Sequence, residues 1–229
     1  MSALSPAPPA TDAGAARPRG RRLTPLLLAA VVGVSSTLLI GRFAGRWLVR
    51  EDPMQPVQAL LVSIGGWYPG AVEAARLQQA GIAPRVIVAR WATGPGSADD
   101  DLRRLGIGLP TPPALVQSIL EHSGVPADAI ERIDHEVDGT GADVATLATY
   151  VRTRGFQRIA IVTSRSHSRR AGWLLERALP AGVTVQVHSP ANDPFTPVGW
   201  WRSRDATREV LIESLRWINA GLLGDAWRD

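Results

Sequence analysis

The sequence predicts an α/β fold, a mostly parallel sheet of about five strands with helices on both faces, preceded by one transmembrane helix. Three observations carry this reading. Short, β-branched apolar runs alternate with longer segments whose apolar residues recur at helical spacing. Glycine, proline and small polar residues mark most of the changes from one to the other. A charge-free run over 23–41 has the length of a bilayer span.

Residues 1–22 are rich in Ala, Pro, Ser and Arg, lack an apolar period and end in Arg17, Arg19, Arg21 and Arg22. They are expected to form a disordered basic tail. The stretch "LTPLLLAAVVGVSSTLLIG" over 23–41 then runs nineteen positions without a charge, close to the roughly 20 residues that cross a hydrocarbon core of about 30 Å. It is longer than the apolar region of about 7–15 residues in a cleaved signal peptide, and no A-x-A site follows it, so it reads as an anchor. Four Arg precede the run, and Arg42, Arg46 and Arg50 follow it. The charge rule for short flanks favours a cytoplasmic N-terminus and puts the remaining chain beyond the plasma membrane, with Trp47 at the outer interface. Residues 42–56, with Pro53 and Pro56, read as a linker to a domain over 57–229.

Within the domain the first strand is expected over 59–64, ending in Gly65 and Gly66. A helix over 69–80 offers Ala71, Ala74, Ala75 and Leu77 for packing and closes at Gly81. The second strand is expected over 85–89. A loop through Arg90, Trp91, Gly94 and Gly96 follows, then the acidic turn Asp99, Asp100 and Asp101, read as solvated. A helix over 113–122 turns Val116, Ile119 and Leu120 inward, and a strand over 130–133 carries alternating charges that suit a sheet edge. A helix over 142–154 gathers Val144, Leu147, Ala148 and Val151. A fully apolar strand ending at Val162 leads to a helix with Ala171, Leu174, Leu175, Ala178 and Leu179 on one face, capped by Ser166 or Ser168. The fifth strand, over 184–188, puts Val185 and Val187 on the side of Val183. After a Pro-, Gly- and Trp-rich loop over 189–203, a helix over 204–223 is expected to pack through Leu211, Leu215, Ile218 and Leu222.

Composition removes several function classes. The chain has 229 residues, 45% of them hydrophobic, enough for a substantial core. Its net charge of +4 is unevenly placed: residues 1–50 hold seven Arg against Asp12, leaving eighteen Arg against twenty Asp and Glu for 51–229. A nucleic-acid backbone reader needs a basic domain, which this is not. With no cysteine there is no thiol nucleophile, disulfide, zinc–thiolate or iron–sulfur site. With no lysine, Schiff-base chemistry and a P-loop are excluded.

In open α/β sheets ligands sit beyond the carboxyl ends of the strands, beside helix N-termini. Three such turns are expected to converge: Gly65 and Gly66, the segment 134–143, and the segment 163–170. The two glycines let a ligand approach the backbone. His167 has the chemistry of a general base or anion contact, with Asp143 or Asp134 to orient it, and Thr140, Thr163 and Ser164 as hydroxyl contacts. Arg170 offers a planar fork for carboxylate or phosphate, or a surface pair with Glu176 or Asp143. His122, His135 and His188 lack metal-ligand spacing, so no metal site is assigned, and no residue pattern names a cofactor. There is no G-x-S-x-G elbow. Trp200 and Trp201 suit a pocket wall, core packing or the membrane surface.

Several segments together resemble one bacterial family. They are "LLVSIGG" at the domain start, "GVPADAI" over 124–130, the helix start at Thr140, "IVTSRSHSRRA" over 161–171, and "W...E.LRW" from Trp201 through Glu213 to Trp217. The chain resembles the YdcF/SanA/ElyC-like family over about 57–220. The most specific part is the V-T-S-x-x-H-x-x-R-A pattern, here Val162, Thr163, Ser164, His167, Arg170 and Ala171. The resemblance implies a Rossmann-like fold with a polar pocket at the strand ends. It also implies a single-pass plasma-membrane layout with an extracytoplasmic domain, and a role in peptidoglycan or barrier maintenance, with envelope-synthesis proteins as partners. The expected ligand is a small anion such as a sugar phosphate or lipid-carrier headgroup. Alternatives are a hydrolase or transferase using His167, and a non-catalytic scaffold. Four positions depart from the family pattern: Ala89-Arg90 stands for Ser-Gly, Ala142 for Glu, and Asp134 for Glu.

Overall fold

The computed structural model describes the backbone of residues 23–62, 67–91, 102, 104–108, 110–137 and 139–222; side chains are described for these except 23, 24, 26, 36–40, 67, 89–91, 134–137, 139–143 and 222. The predicted basic tail, Gly65, Gly66 and the acidic turn at Asp99 to Asp101 lie outside the described residues. The chain divides into two compact units after Gly41. The predicted span falls in helix α1 (Leu23–Leu48), whose last turns belong to the second unit. Among the described residues no helix is long and apolar enough to cross a membrane.

In the second unit five strands, β1 (Ala59–Val62), β2 (Val86–Trp91), β3 (Ile130–Val137), β4 (Arg158–Val162) and β5 (Thr184–His188), form one sheet in the order β3-β2-β1-β4-β5. Every pairing is parallel. The interleaved helices are α2 (Trp67–Gln79), α3 (Pro112–His122), α4 (Gly139–Arg154), α5 (Ser168–Ala178) and α6 (Arg204–Leu222). The central strands are apolar at nearly every position because both their faces are covered. Ala59, Leu61, Ile159, Ile161 and Val187 turn to the face of α4 and α5, meeting Leu147, Val151 and Leu175. Leu60, Val62, Val86, Val88 and Val162 turn to the other face, meeting Ala71, Ala74, Val116 and Leu120 of α2 and α3. A one-residue slip would exchange the two sets, so the registers Leu61 with Ile87 and Leu61 with Ile161 are tightly specified. The charged strand β3 is an edge, as its alternation predicts, and its pairing with β2 shifts between Ala89 and Trp91.

A third, smaller core lies off the sheet. Leu48, Phe195, Ala206 and Val210 are buried together, with Ala44, Trp200 and Trp217 against them. Gly45 permits this approach: a Cβ there would lie 2.6 Å from both the Pro197 carbonyl oxygen and Trp200 Cδ1. The inward face of α6 is therefore Ala206, Val210, Glu213 and Trp217. This corrects the predicted seam: Leu211, Leu215 and Ile218 are 57%, 65% and 55% exposed. Both rows have helical spacing; the row chosen from sequence was the more apolar one, while the buried row contains a carboxylate, which hydropathy scores as surface.

Residues 50–55 lie along the free edge of β5. The Asp52 N–H donates to the Val187 carbonyl (2.9 Å), and the Val187 N–H donates to Asp52 Oδ2 (3.0 Å). Arg50 Nη2 donates to the Val185 carbonyl, and the Ser189 N–H donates to Glu51. The edge groups that parallel pairing leaves open at 185, 187 and 189 are thus occupied.

Candidate functional site

Connections from β1 and β2 run over one face and those from β3 and β4 over the other, so the order in which strands are added reverses between β1 and β4. That crevice is where open parallel sheets bind ligands. Two helices begin there. Gly70, in the first turn of α2, is close to β4: a Cβ on it would sit 3.8 Å from the Val162 carbonyl oxygen. Helix α5 starts just after the turn that follows β4. Neither helix has an acidic residue in its first turn. Helix α5 also has no side-chain cap; His167 holds the cap position. The expected caps are used elsewhere: Ser166 donates to Glu209, and Ser168 Oγ donates to the Arg165 carbonyl while accepting the Arg50 N–H, each at 2.8 Å. The free N–H groups leave a positive end at the crevice.

Thr163 follows β4 directly. Its N–H extends the sheet by donating to the His188 carbonyl (3.0 Å), so its backbone is fixed. The residue is 0% exposed, yet Oγ1 finds no hydrogen-bond partner among the described residues. A buried hydroxyl without a partner costs about 1–3 kcal/mol, which makes it an unusual feature to retain in a core. Ser164 is half-buried beside it, its carbonyl accepting the His167 N–H at 3.1 Å. The Arg165 N–H donates to Asp193 (2.9 Å), which ties the turn to the loop after β5.

His167 and Arg170 come together, but through a carboxylate the sequence reading had not assigned. Arg170 Nε donates to Glu213 Oε2 (2.7 Å) and Nη2 to Oε1 (3.2 Å), and Arg216 adds a third contact at 2.7 Å. Arg170, His167 and Glu213 are all buried. The guanidinium fork therefore holds α5 to α6, and its partner is Glu213 rather than Glu176, which pairs with Arg50. Arg170 Nη2 also lies 3.0 Å from His167 Nδ1. A guanidinium only donates, so this contact makes Nδ1 the acceptor and puts the imidazole proton on Nε2. The 3.4 Å separation of Nδ1 from Glu213 is then an electrostatic neighbour and not a second bond. Burial pushes the His167 pKa below its ordinary value, and the adjacent Arg170 works in the same direction. Burial alone would raise the Glu213 carboxyl; the adjoining His167 and the Arg170 guanidinium outweigh it and hold the group well below the usual carboxylate range.

A second cluster stands at the end of β5. His188 Nε2 lies 2.8 Å from Glu73 of α2 and Nδ1 2.5 Å from Glu51. The close approach of Glu51 raises the imidazole pKa, burial opposes it, and the contact with Glu73 adds to the rise. Glu73 would be raised by burial, but Arg76 and His188 bring it below its ordinary value. No group of three or more acidic or histidine residues is placed to hold a metal among the described residues.

Of the other predicted site residues, Thr140 lies in the first turn of α4 and Asp143 one turn on, with their side chains outside the described residues. Gly65 and Gly66 lie outside them altogether. Glu213 was legible in one respect: it is the single acid among the inward positions 206, 210, 213 and 217. Comparison of the chain with protein-family models and with curated proteins finds no match to either.

Proposed function

We propose that this chain is a single-pass plasma-membrane protein whose extracytoplasmic, Rossmann-like domain binds a small anionic ligand in the crevice between β1 and β4 and serves envelope biogenesis or maintenance. The observation that carries the binding reading is the Thr163 hydroxyl, fully buried and without a partner among the described residues, at the point where the connections switch from one face of the sheet to the other. Two helix N-termini free of acidic first-turn residues favour an anion there. The anchor reading rests on the charge-free run 23–41, and the envelope reading on the resemblance of the segment 161–171 to the YdcF/SanA/ElyC-like family. A phosphorylated sugar or lipid-carrier headgroup fits this chemistry. The enzyme reading is weaker, because the Nδ1 of His167 is already engaged by Arg170.

The test is thermal unfolding of the full chain in detergent micelles against sugar phosphates, nucleotides and polyprenyl-phosphate analogues, wild type beside Thr163→Val. A ligand at about 100 times its Kd adds roughly 2.7 kcal/mol of stability. A shift in wild type that disappears in Thr163→Val is expected; no shift with any compound would remove the binding reading. Orientation is tested separately by a reporter fused after Asp229, and activity confined to the cytoplasm would overturn the extracytoplasmic placement.

A further inference from the structure

The end of α1 and the loop before α6 form one exposed aromatic and basic face. Phe43, Trp47, Val198 and Trp201 are exposed, and these apolar side chains lie on two segments joined by close contact. Gly45 meets the Pro197 carbonyl and the Trp200 ring, and Arg42 Cζ sits 5.3 Å from the centroid of the Trp201 ring. Gly199, at φ +71°, is in the left-handed region and turns the chain between Val198 and the 3-10 turn Trp200–Arg202. Beneath the face, Trp47 packs on Trp217 at 5.0 Å, and Trp217 on Trp173 at 5.1 Å. These rings, with the third core under them, hold the face in a fixed shape rather than leaving it as loose loop.

The charge is one-sided. Residues 42–50 and 194–204 contain Arg42, Arg46, Arg50, Arg202 and Arg204 and not one Asp or Glu. Arg50 is paired with Asp52 and Glu176, while Arg42, Arg46, Arg202 and Arg204 are exposed. Covalent reach then fixes the neighbourhood. Arg42 follows the charge-free run directly, and Trp47 is five residues further along a helix that rises about 1.5 Å per residue. That is about 8 Å, comparable with the headgroup layer on one side of a bilayer, where Trp and Arg concentrate.

We propose that this face rests in the headgroup layer of an anionic bilayer, with Phe43, Trp47, Val198 and Trp201 at the acyl boundary and Arg42 and Arg202 on lipid phosphates. The inference depends on the anchor reading of 23–41. It makes the domain a seated one, in which the 198–201 loop is a second membrane contact distant in sequence from the first. Basic residues near an anionic surface are drawn to it, so the docking depends on lipid charge.

The chain has no cysteine, so a single introduced one is the only labelling site. The full chain, reconstituted in vesicles of phosphatidylglycerol and phosphatidylcholine, would carry a nitroxide at Val198→Cys, at Val32→Cys in the charge-free run, or at the exposed Ala181→Cys before β5. Collision of the label with oxygen against a polar nickel chelate reads its depth. The expected result is an oxygen-to-nickel ratio at 198 several-fold above that at 181, falling toward it in phosphatidylcholine alone. A 198 label that matches 181 while 32 reads lipid would sink the docking and leave the anchor standing. Water-like readings at both 32 and 198 would remove the anchor and the docking together. Dipolar broadening between 198 labels, without lipid contact, would assign the face to a second copy and overturn the proposal. Equal lipid contact in both vesicle types would overturn its anionic component.

Discussion

Single residues divide into those that hold the fold and those held by it. Glu213 belongs to the first group: three donors from two arginines converge on it in a buried site. Arg170→Ala leaves that carboxylate buried without its main partner, and a loss of about 3–5 kcal/mol is expected from chemical denaturation. For that reason Thr163→Val, and not an Arg170 variant, is the informative probe of binding. It should leave unliganded stability unchanged or raise it by up to about 1 kcal/mol, since it removes a hydroxyl that nothing described satisfies. The titrating groups act in opposite directions. Glu213 is depressed, so its stabilisation is present above about pH 4.5 and is lost as pH falls below that. His167 is also depressed: the unfolded imidazole takes up a proton first, and stability declines as pH drops below about 6.5. His188 is raised, so its contribution is complete below about pH 6.5 and fades as pH rises through the elevated value. Nitrogen NMR of the imidazoles checks both signs, with His188 charged and His167 neutral, protonated on Nε2, at the same near-neutral pH. His167 found charged where His188 is neutral would reverse the assignment.

At the scale of elements, helix α6 presents two apolar rows and buries the less apolar one. Val210→Ala, in the inner row, is expected to cost about 1–3 kcal/mol, while Leu215→Glu in the outer row should change stability by no more than about 0.5 kcal/mol. Equal losses from both would mean that the outer row also packs against this chain. Gly45→Ala tests the junction of α1 with the loop before α6. The added methyl meets a backbone carbonyl that cannot swing aside, so a loss of about 1–3 kcal/mol is expected in thermal unfolding, and no loss would show the junction to be open. The strands were legible because burial on two faces leaves a continuous apolar run that few other structures produce, and β3 declared itself an edge through Glu131 and Arg132. The helices of the sheet were legible from their spacing, to within a few residues at their ends. Helix α6 was not, because hydropathy ranks Glu213 as outward and has no means of seeing Arg170 across the chain.

The molecule as a whole is a parallel sheet with two ordinary cores and a third that binds the end of α1 to the C-terminal helix. The crevice that the sequence singles out, beyond the ends of β1 and β4, is the one that the topology favours for a ligand. The sequence did not reveal the chemistry inside. Which of Thr163, His167 and Arg170 is free depends on partners 43 and 46 residues away, at Glu213, and no local pattern records such pairings. The order β3-β2-β1-β4-β5 leaves two sheet edges, and they are defended differently: β3 by its charges, β5 by residues 50–55 laid against it. A protease cutting between Gln55 and Val57 would therefore do more than shorten the chain. It would part residues 50–55 from the strand they guard and expose the 185, 187 and 189 positions to pairing with another cut copy. Cleavage and self-association would be one event, and the unbroken link from 50–55 into β1 would be what keeps neighbouring copies apart.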